Sequence, residues 1–325
     1  MLVHATVRMP APKPARNRSM LIGYDGSAEA GHAIDVAAAL LEPTSAVVLN
    51  VAPRLTVEES FITVGSPVSG DAAFEGLNKA DALRRAEAGA RLARAAGLQA
   101  DARVCVAAPT WEGIVQTADE VDAAVIVLGS RGGRGAAELV ERNVSHDVAQ
   151  YARRPLLFVP QRARGRVGEG PILIGYEGSE HARRAIEAAH ALVRASEAVV
   201  LDAAPLRISV GYSAMPSDAP WVDAADPTLA YAGAQAGVDF AQQRGFHAVA
   251  RTAAAPTTWQ AVTEVADEVD ASVIVVGSRG LKGAREVVEH SVSHDIATHA
   301  HRPVLLVPPY GAGAEGDTVP GSSKV

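Results

Sequence analysis

The sequence predicts an α/β protein made of two tandem, doubly wound domains, each built on a five-stranded parallel sheet. Three observations carry that expectation. The chain contains itself twice; short apolar runs alternate with longer, helix-spaced segments; and the runs are nearly continuous, as in strands covered on both faces.

The duplication is read first because every later motif must be weighed twice. Gly23-Tyr24-Asp25-Gly26-Ser27 returns 152 residues later as Gly175-Tyr176-Glu177-Gly178-Ser179, and Pro53 returns as Pro205. From Trp111 onward the spacing is 148, so that Trp111 matches Trp259 and His146 matches His294. Over 125–160 against 273–308, 23 of 36 aligned positions are identical. The change of spacing falls between Pro53 and Trp111, which places the divergence of the copies in a surface loop after the second strand.

Within the first copy, Met20 to Tyr24 is a short apolar run. Ser27 then caps a helix through about Leu41, whose inner face Ile34, Ala37, Ala38 and Leu41 follows helical spacing. Val47 to Val51 is the second strand. After a variable loop, an Ala/Arg/Glu helix runs from about Asn78 to Ala96 and stops at Gly97. Residues 99–107 alternate polar and apolar like an edge strand. Thr110 opens a helix to about Val121, Ala124 to Leu128 is an apolar strand, and residues 144–152 form a helix leading into the last strand, Leu156 to Val159.

At 325 residues the chain has room for two domains, and 48% apolar side chains give each a core. With only 4% aromatics, those cores must be aliphatic. No apolar run approaches the ~18 residues of a membrane span, so no membrane association is expected. Cys105 is the only cysteine, which excludes an intrachain disulfide, a thiolate zinc site and a two-cysteine redox centre, and points to a reducing compartment. The net charge of −7 includes a basic leader holding Arg8, Lys13, Arg16 and Arg18 without an acid, so the body is more acidic still. That balance argues against nucleic-acid binding, which depends on phosphate neutralisation.

Residues 1–18 lack a signal-peptide core and carry Pro10, Pro12 and Pro14, so they are expected to be a disordered leader, with Met20 a candidate alternative start. The expected domains are 19–160 and 171–309, joined by the polar linker 161–170 and followed by a disordered tail, 310–325.

In an open parallel sheet, ligands sit beyond the carboxyl ends of the strands where strand order reverses. Two features fall there: the Gly23-Tyr24-Asp25-Gly26-Ser27 turn, and the Gly-rich loop Gly129-Ser130-Arg131-Gly132-Gly133-Arg134-Gly135, whose amides lack side-chain cover against a phosphate. Either alone is ordinary chain geometry. Their joint occurrence in both copies points to an ancestral anion or nucleotide site.

These residues, with Val125 to Gly132, Val144-Ser145-His146, Arg154 to Pro160 and their second-copy equivalents, resemble the universal stress protein family; the chain looks like a tandem two-domain member. The resemblance implies an adenine nucleotide alpha hydrolase-like fold of strand order 3-2-1-4-5, and a cytoplasmic stress-response protein. In the nucleotide-binding branch it implies ATP held by a G-x2-G-x9-G-[S/T] pattern. The first two glycines fall on Gly129 and Gly132, and on Gly277 and Gly280. The third falls on Arg142 and His290, so both copies depart there, and the hydroxyl position is Asn143 in one and Ser291 in the other. The strand-one acid is Asp25 in the first copy and Glu177 in the second. The candidate nucleotide-binding residues are Gly23, Asp25, Val51, Leu128, Gly129, Arg131, Gly132, Gly135, Arg142, Asn143 and Ser145, then Gly175, Glu177, Val276, Gly277, Arg279, Gly280, Gly283, His290, Ser291 and Ser293.

Other motifs have plainer readings. Ser145-His146-Asp147 and Ser293-His294-Asp295 spell a hydrolase triad, but consecutive helical residues diverge by ~100° and cannot align as one. They are expected at a surface or the domain interface. His290 and His294 have the spacing of a helical metal pair, yet the first copy has Arg142 in place of His290 and no Cys or Glu array completes a site, so no metal is assigned. Trp111 and Trp259 read as packing residues, and Cys105 as inert. The expected function is a regulatory binding protein for ATP or another adenine nucleotide. A weak nucleotide hydrolase is disfavoured because no Lys follows the Gly-rich loop, and a module that binds only other proteins is the third reading. The last strands, Leu156 to Val159 and Val304 to Val307, are expected to join the copies about a pseudo-twofold axis, leaving other surfaces for a homodimer.

Overall fold

The computed structural model describes residues 18–54, 71–129, 144–161, 163, 168–205, 227–278 and 292–309. The first copy runs β1 (Met20–Gly23), α1 (Ala28–Leu40), β2 (Ser45–Pro53), α2 (Asp71–Ala95), β3 (Gln99–Ala107), α3 (Thr110–Glu120), β4 (Val125–Gly129), α4 (Val144–Tyr151) and β5 (Leu156–Val159). The second runs β6 (Ile172–Gly175), α5 (Glu180–Leu192), β7 (Glu197–Pro205), α6 (Pro227–Gln243), β8 (His247–Ala255), α7 (Thr258–Glu268), β9 (Val273–Gly277), α8 (Val292–His299) and β10 (Val304–Val307). Two elements are markedly longer than the sequence reading gave them. β2 begins at Ser45 because its whole length, Ser45 to Pro53, pairs in parallel with Gln99 to Ala107, and α2 begins at Asp71 rather than Asn78.

All ten strands form one sheet, in the order β3-β2-β1-β4-β5-β10-β9-β6-β7-β8. Each half therefore has the 3-2-1-4-5 order. The halves meet where β10 pairs antiparallel with β5, placing Val304 opposite Phe158, Leu305 opposite Leu157 and Leu306 opposite Leu156. The joining of the copies through their last strands is present in the fold. A second seam lies on one face, where Leu41 bridges Val193, the Glu42 amide donates to the Leu192 carbonyl and the Arg194 amide to the Leu40 carbonyl. Sequence periodicity gave no sign of it.

Alternation along the strands divides the core into two layers. Met20 and Ile22 face α1, α2, α5 and α6, together with Ile34, Leu40, Ile186 and Val238. Leu21 faces the other way, toward α3, α4, α7 and α8, with Ile114, Val148, Val262 and Ile296. Ser27 and Ser179 cap α1 and α5 as expected, each hydroxyl accepting an amide hydrogen bond at 3.1 Å.

The leader to residue 17, the tail from residue 310 and linker residues 162 and 164–167 lie outside the described residues. Arg18, assigned to the leader by the sequence reading, belongs to the fold instead: its guanidinium donates to the Asp122 carboxylate at 2.6 Å and to the Asp122 carbonyl at 3.0 Å. Arg154 meets the same turn. It is buried and donates to Asp119 and Asp122, both at 3.0 Å, and Arg302 repeats the clamp on Asp267 and Asp270. Burial would raise the Asp122 carboxyl, but the hydrogen bond from Arg154 and the charges of Arg18 and Arg154 outweigh it and hold the group below its ordinary value.

Candidate functional site

Strand order reverses between β1 and β4, and again between β6 and β9. In the first copy β1 ends at Gly23 because a side chain there would stand 2.5 Å from Leu128 Cδ2. The Tyr24 amide then donates to the Leu49 carbonyl at 2.9 Å, and Asp25 emerges at the strand end, exposed, its carboxylate accepting the Ser27 amide at 2.9 Å. Beneath it lies Asn50, buried, whose Nδ2 donates to the Tyr24 carbonyl at 2.7 Å. Val51 follows on β2, half-buried, against the approach of Gly113. Across the crevice β4 ends at Gly129, where a Cβ would lie 2.8 Å from the Glu29 carbonyl oxygen. This glycine is set by the close approach of α1 to the strand end, a packing requirement that stands whether or not an anion sits nearby.

The second copy reproduces the backbone and changes the charges. A Cβ on Gly175 would stand 3.1 Å from Val276 Cγ1, and one on Gly277 would stand 2.7 Å from the His181 carbonyl oxygen. The Tyr176 amide again donates to the strand beside it, at Leu201. Glu177 replaces Asp25 and accepts a hydrogen bond from the Ser179 hydroxyl. The position of Asn50 is held by Asp202, half-buried under α6, with Oδ2 only 2.7 Å from where a Cβ on Gly233 would sit. Burial, followed by the charge of Glu177, pushes the Asp202 carboxyl above its ordinary value. At the helix end the contrast reverses. Glu29 in the first turn of α1 accepts a hydrogen bond from Gln161 at 2.6 Å, whereas its counterpart His181 has a buried Nδ1 without a partner.

Ser145 is buried on α4, and Ser293 on α8 donates its hydroxyl to the Gly277 carbonyl at 3.0 Å. Gly23, Asp25, Val51, Leu128 and Gly129 thus stand at or beside the carboxyl ends of β1, β2 and β4, with Ser145 on α4, and Gly175, Glu177, Val276 and Gly277 stand at those of β6 and β9, with Ser293 bonded to Gly277. Arg131, Gly132, Gly135, Arg142, Asn143, Arg279, Gly280, Gly283, His290 and Ser291 lie outside the described residues. Asn50 and Asp202 were missed by the sequence reading, although their difference at a repeated position was visible there.

His146 faces His294 of the other copy rather than Ser145, so the triad spelling has no structural counterpart. Trp111 stacks on Tyr151 and Trp259 on His299, each with ring centroids 4.3 Å apart, which confirms their packing role. Burial pushes the half-buried Cys105 thiol up, away from the thiolate that reactivity requires. Among the described residues no group of three His, Cys, Asp or Glu side chains is placed to hold a metal ion, and no helix is long and apolar enough to cross a membrane.

The sequence profile of the Universal stress protein family matches this chain twice, over residues 16–160 and 170–308. Universal stress protein YxiE of Bacillus subtilis (strain 168) is 31% identical over 144 residues, covering 43% of this chain and 97% of that protein. Among solved structures, a universal stress protein from Archaeoglobus fulgidus DSM 4304 superposes with a TM-score of 0.65 at 17% identity, covering 91% of this chain and 97% of that one. A putative universal stress protein from Pseudomonas aeruginosa UCBPP-PA14 gives 0.52 at 14% identity, covering 90% and 93%. The two structural likenesses establish the fold, and the profile reaches further because it matches each half in turn: the chain belongs to the universal stress protein family, as a member that carries two copies in tandem.

Proposed function

We propose that this stress-response protein is a regulatory binder of an adenine nucleotide, ATP foremost, and that the first copy is the half that takes it. The supporting observation is the charge at the two strand ends. At the strand ends the first copy presents one carboxylate, Asp25, over the neutral Asn50, whereas the second presents Glu177 over Asp202; the first turn of the helix behind adds one acid in each, Glu29 and Glu180. A single acid suits the hydroxyls of a ribose. Two acids, one already resisting ionisation, repel a polyanion.

Titration calorimetry of the purified full chain with ATP, ADP, AMP and cyclic AMP tests this. One nucleotide per chain is expected, with Asp25→Ala weakening it at least tenfold. No binding of any of the four, or binding indifferent to Asp25→Ala, would sink the reading. A module without a nucleotide is the second reading, favoured by the replacement of the third pattern glycine by Arg142 and His290. Because β5 is already paired inside the chain, any homodimer must use another surface, which sedimentation of interface variants would locate.

A further inference from the structure

The sequence reading weighed His290 and His294 as a metal pair by their spacing and assigned no metal. The fold supplies a different partner for His294, from across the domain boundary. His146 on α4 and His294 on α8 occupy equivalent positions of the two copies, and the antiparallel β5–β10 ladder brings them together with Nδ1 atoms 3.2 Å apart. Their ring centroids lie 4.6 Å apart with the planes at 79°, and both residues are part-buried.

We propose that His146 and His294 form a two-histidine site for a divalent transition-metal ion of the Zn2+ type, which clips the two domains together at their seam. The nitrogen separation fits. Two Zn–N bonds of ~2.0–2.1 Å at a tetrahedral angle place their nitrogens ~3.3 Å apart, so the observed spacing needs an adjustment of only a tenth or two. The ring placement fits as well. Nitrogens aimed straight at one another would hold the centroids farther apart than 4.6 Å, so the lone pairs are inclined to the line between them. As it stands the contact is a hydrogen bond between the two imidazoles, its donor set by the tautomer; a shared ion replaces that proton and needs both lone pairs turned to one side of the line, which a ring rotation supplies.

Symmetry also supports the pairing. A chain of one copy that dimerised through its last strand would bring this histidine to its own counterpart on the twofold axis, where each subunit gives one ligand to a shared ion. Fusion of the copies preserves that arrangement within one chain. Among the described residues the protein contributes two ligands, and water completes the shell. Imidazole nitrogen selects Cu2+, Ni2+ and Zn2+ over Mg2+ and Ca2+.

The test uses the full chain, stripped with a chelator and titrated with Zn2+ by calorimetry and by thermal melting, alongside His146→Gln, His294→Gln and the double variant. Expected are one Zn2+ per chain, a metal-dependent rise in melting temperature, at least tenfold weaker binding in each single variant, and no response to Mg2+. Co2+ in place of Zn2+ should give a visible absorption band that both variants lose. Should a variant melt lower without metal, its Co2+ spectrum still reads the site directly. Zinc binding that is unsaturable, or unchanged in either single variant, overturns the proposal, because binding would then lie with the chain's other histidines or nowhere.

Discussion

Replacing Phe158 and Leu306 together by Asp places two carboxylates in the seam between the copies. Both side chains are almost fully buried, at 7% and 6% exposure, on the face shared by β5 and β10. Losing their apolar burial alone costs about 3–6 kcal/mol at ~1.5–3 kcal/mol per side chain, and each buried carboxylate adds several kcal/mol more. The β5–β10 ladder holds only the three registered pairs from Val304 to Leu306, against nine between β2 and β3. The ladders β1–β4 and β6–β9 are as short, but each lies inside one copy, whereas β5–β10 is the ladder that runs between the copies. Opening it turns both strands into edges and lets water reach the charges, so the seam should part before either domain unfolds. Domain centres lie five strands apart in the joined sheet, or ~24 Å at ~4.8 Å per strand. That gives a radius of gyration of ~19 Å from two domains of ~15 Å each. Separation to ~40 Å would raise it to ~25 Å by the same relation. Small-angle scattering should show that increase while far-UV circular dichroism keeps its helical signal. The first melting transition should fall by about 6–24 °C, at ~2–4 °C per kcal/mol. An unchanged scattering profile with an unmoved melt would refute the claim that these strands join the copies.

Three further outcomes follow from the same geometry. Glu29→Gln removes an acid from the first turn of α1 beside the first crevice and should tighten ATP about 2–5-fold, from ~0.3–1 kcal/mol at a helix N-terminus, with AMP moving less; equal shifts for both nucleotides would place the phosphates elsewhere. Asp202→Asn should raise the melting temperature at pH 7, because the folded state resists ionising a carboxyl that is held above its ordinary 3.8, and the gain should fade as pH falls and vanish below 3.8, where the wild-type carboxyl is protonated in both states; a gain independent of pH would mean that packing is the cause. Gly129→Ala should destabilise by about 1–3 kcal/mol, since its Cβ would meet the Glu29 backbone, whereas Gly31→Ala in α1, with Leu92 Cδ1 4.0 Å away, should be neutral or stabilise by up to ~1 kcal/mol in chemical denaturation; the opposite order would undo the packing account of Gly129.

The strands, the helices and the internal duplication could be read from the chain because each rests on local pattern. Apolar runs such as Val125 to Leu128 are too continuous for a solvent-facing strand, and Ser27 and Ser179 announce helix starts by their side-chain chemistry. The last strands could be assigned to the seam because an apolar terminal strand leaves an edge that must be covered. What depends on distant positions was not legible. Arg154 and Arg302 clamp acids more than thirty residues upstream, and a single arginine gives no sign of its partner. Gly129 sits in a glycine-rich run that suggests a phosphate cradle, yet its own constraint comes from the α1 backbone a hundred residues earlier. His146 and His294 look like separate helix residues until the antiparallel ladder sets them face to face.

The fused arrangement explains why the two crevices differ in charge while the seam stays apolar, even where Leu156 is matched by Val304 and Phe158 by Leu306. Two identical subunits must carry identical crevices, so any change in one is a change in both. Once the copies share a chain, each strand end is free to change alone, and Asp25 against Glu177, Asn50 against Asp202 and Glu29 against His181 are all differences at strand ends or in the first helical turn behind them. The seam has no such freedom, because β5 and β10 supply each other's missing neighbour and a polar change on either side opens the shared core. Leu157 faces Leu305 with both fully buried, and His146 still faces His294. Divergence of charge at the crevices and retention of apolar packing at the seam are therefore two consequences of one duplication: each strand end answers to its own copy alone, and the seam answers to the other half of the molecule.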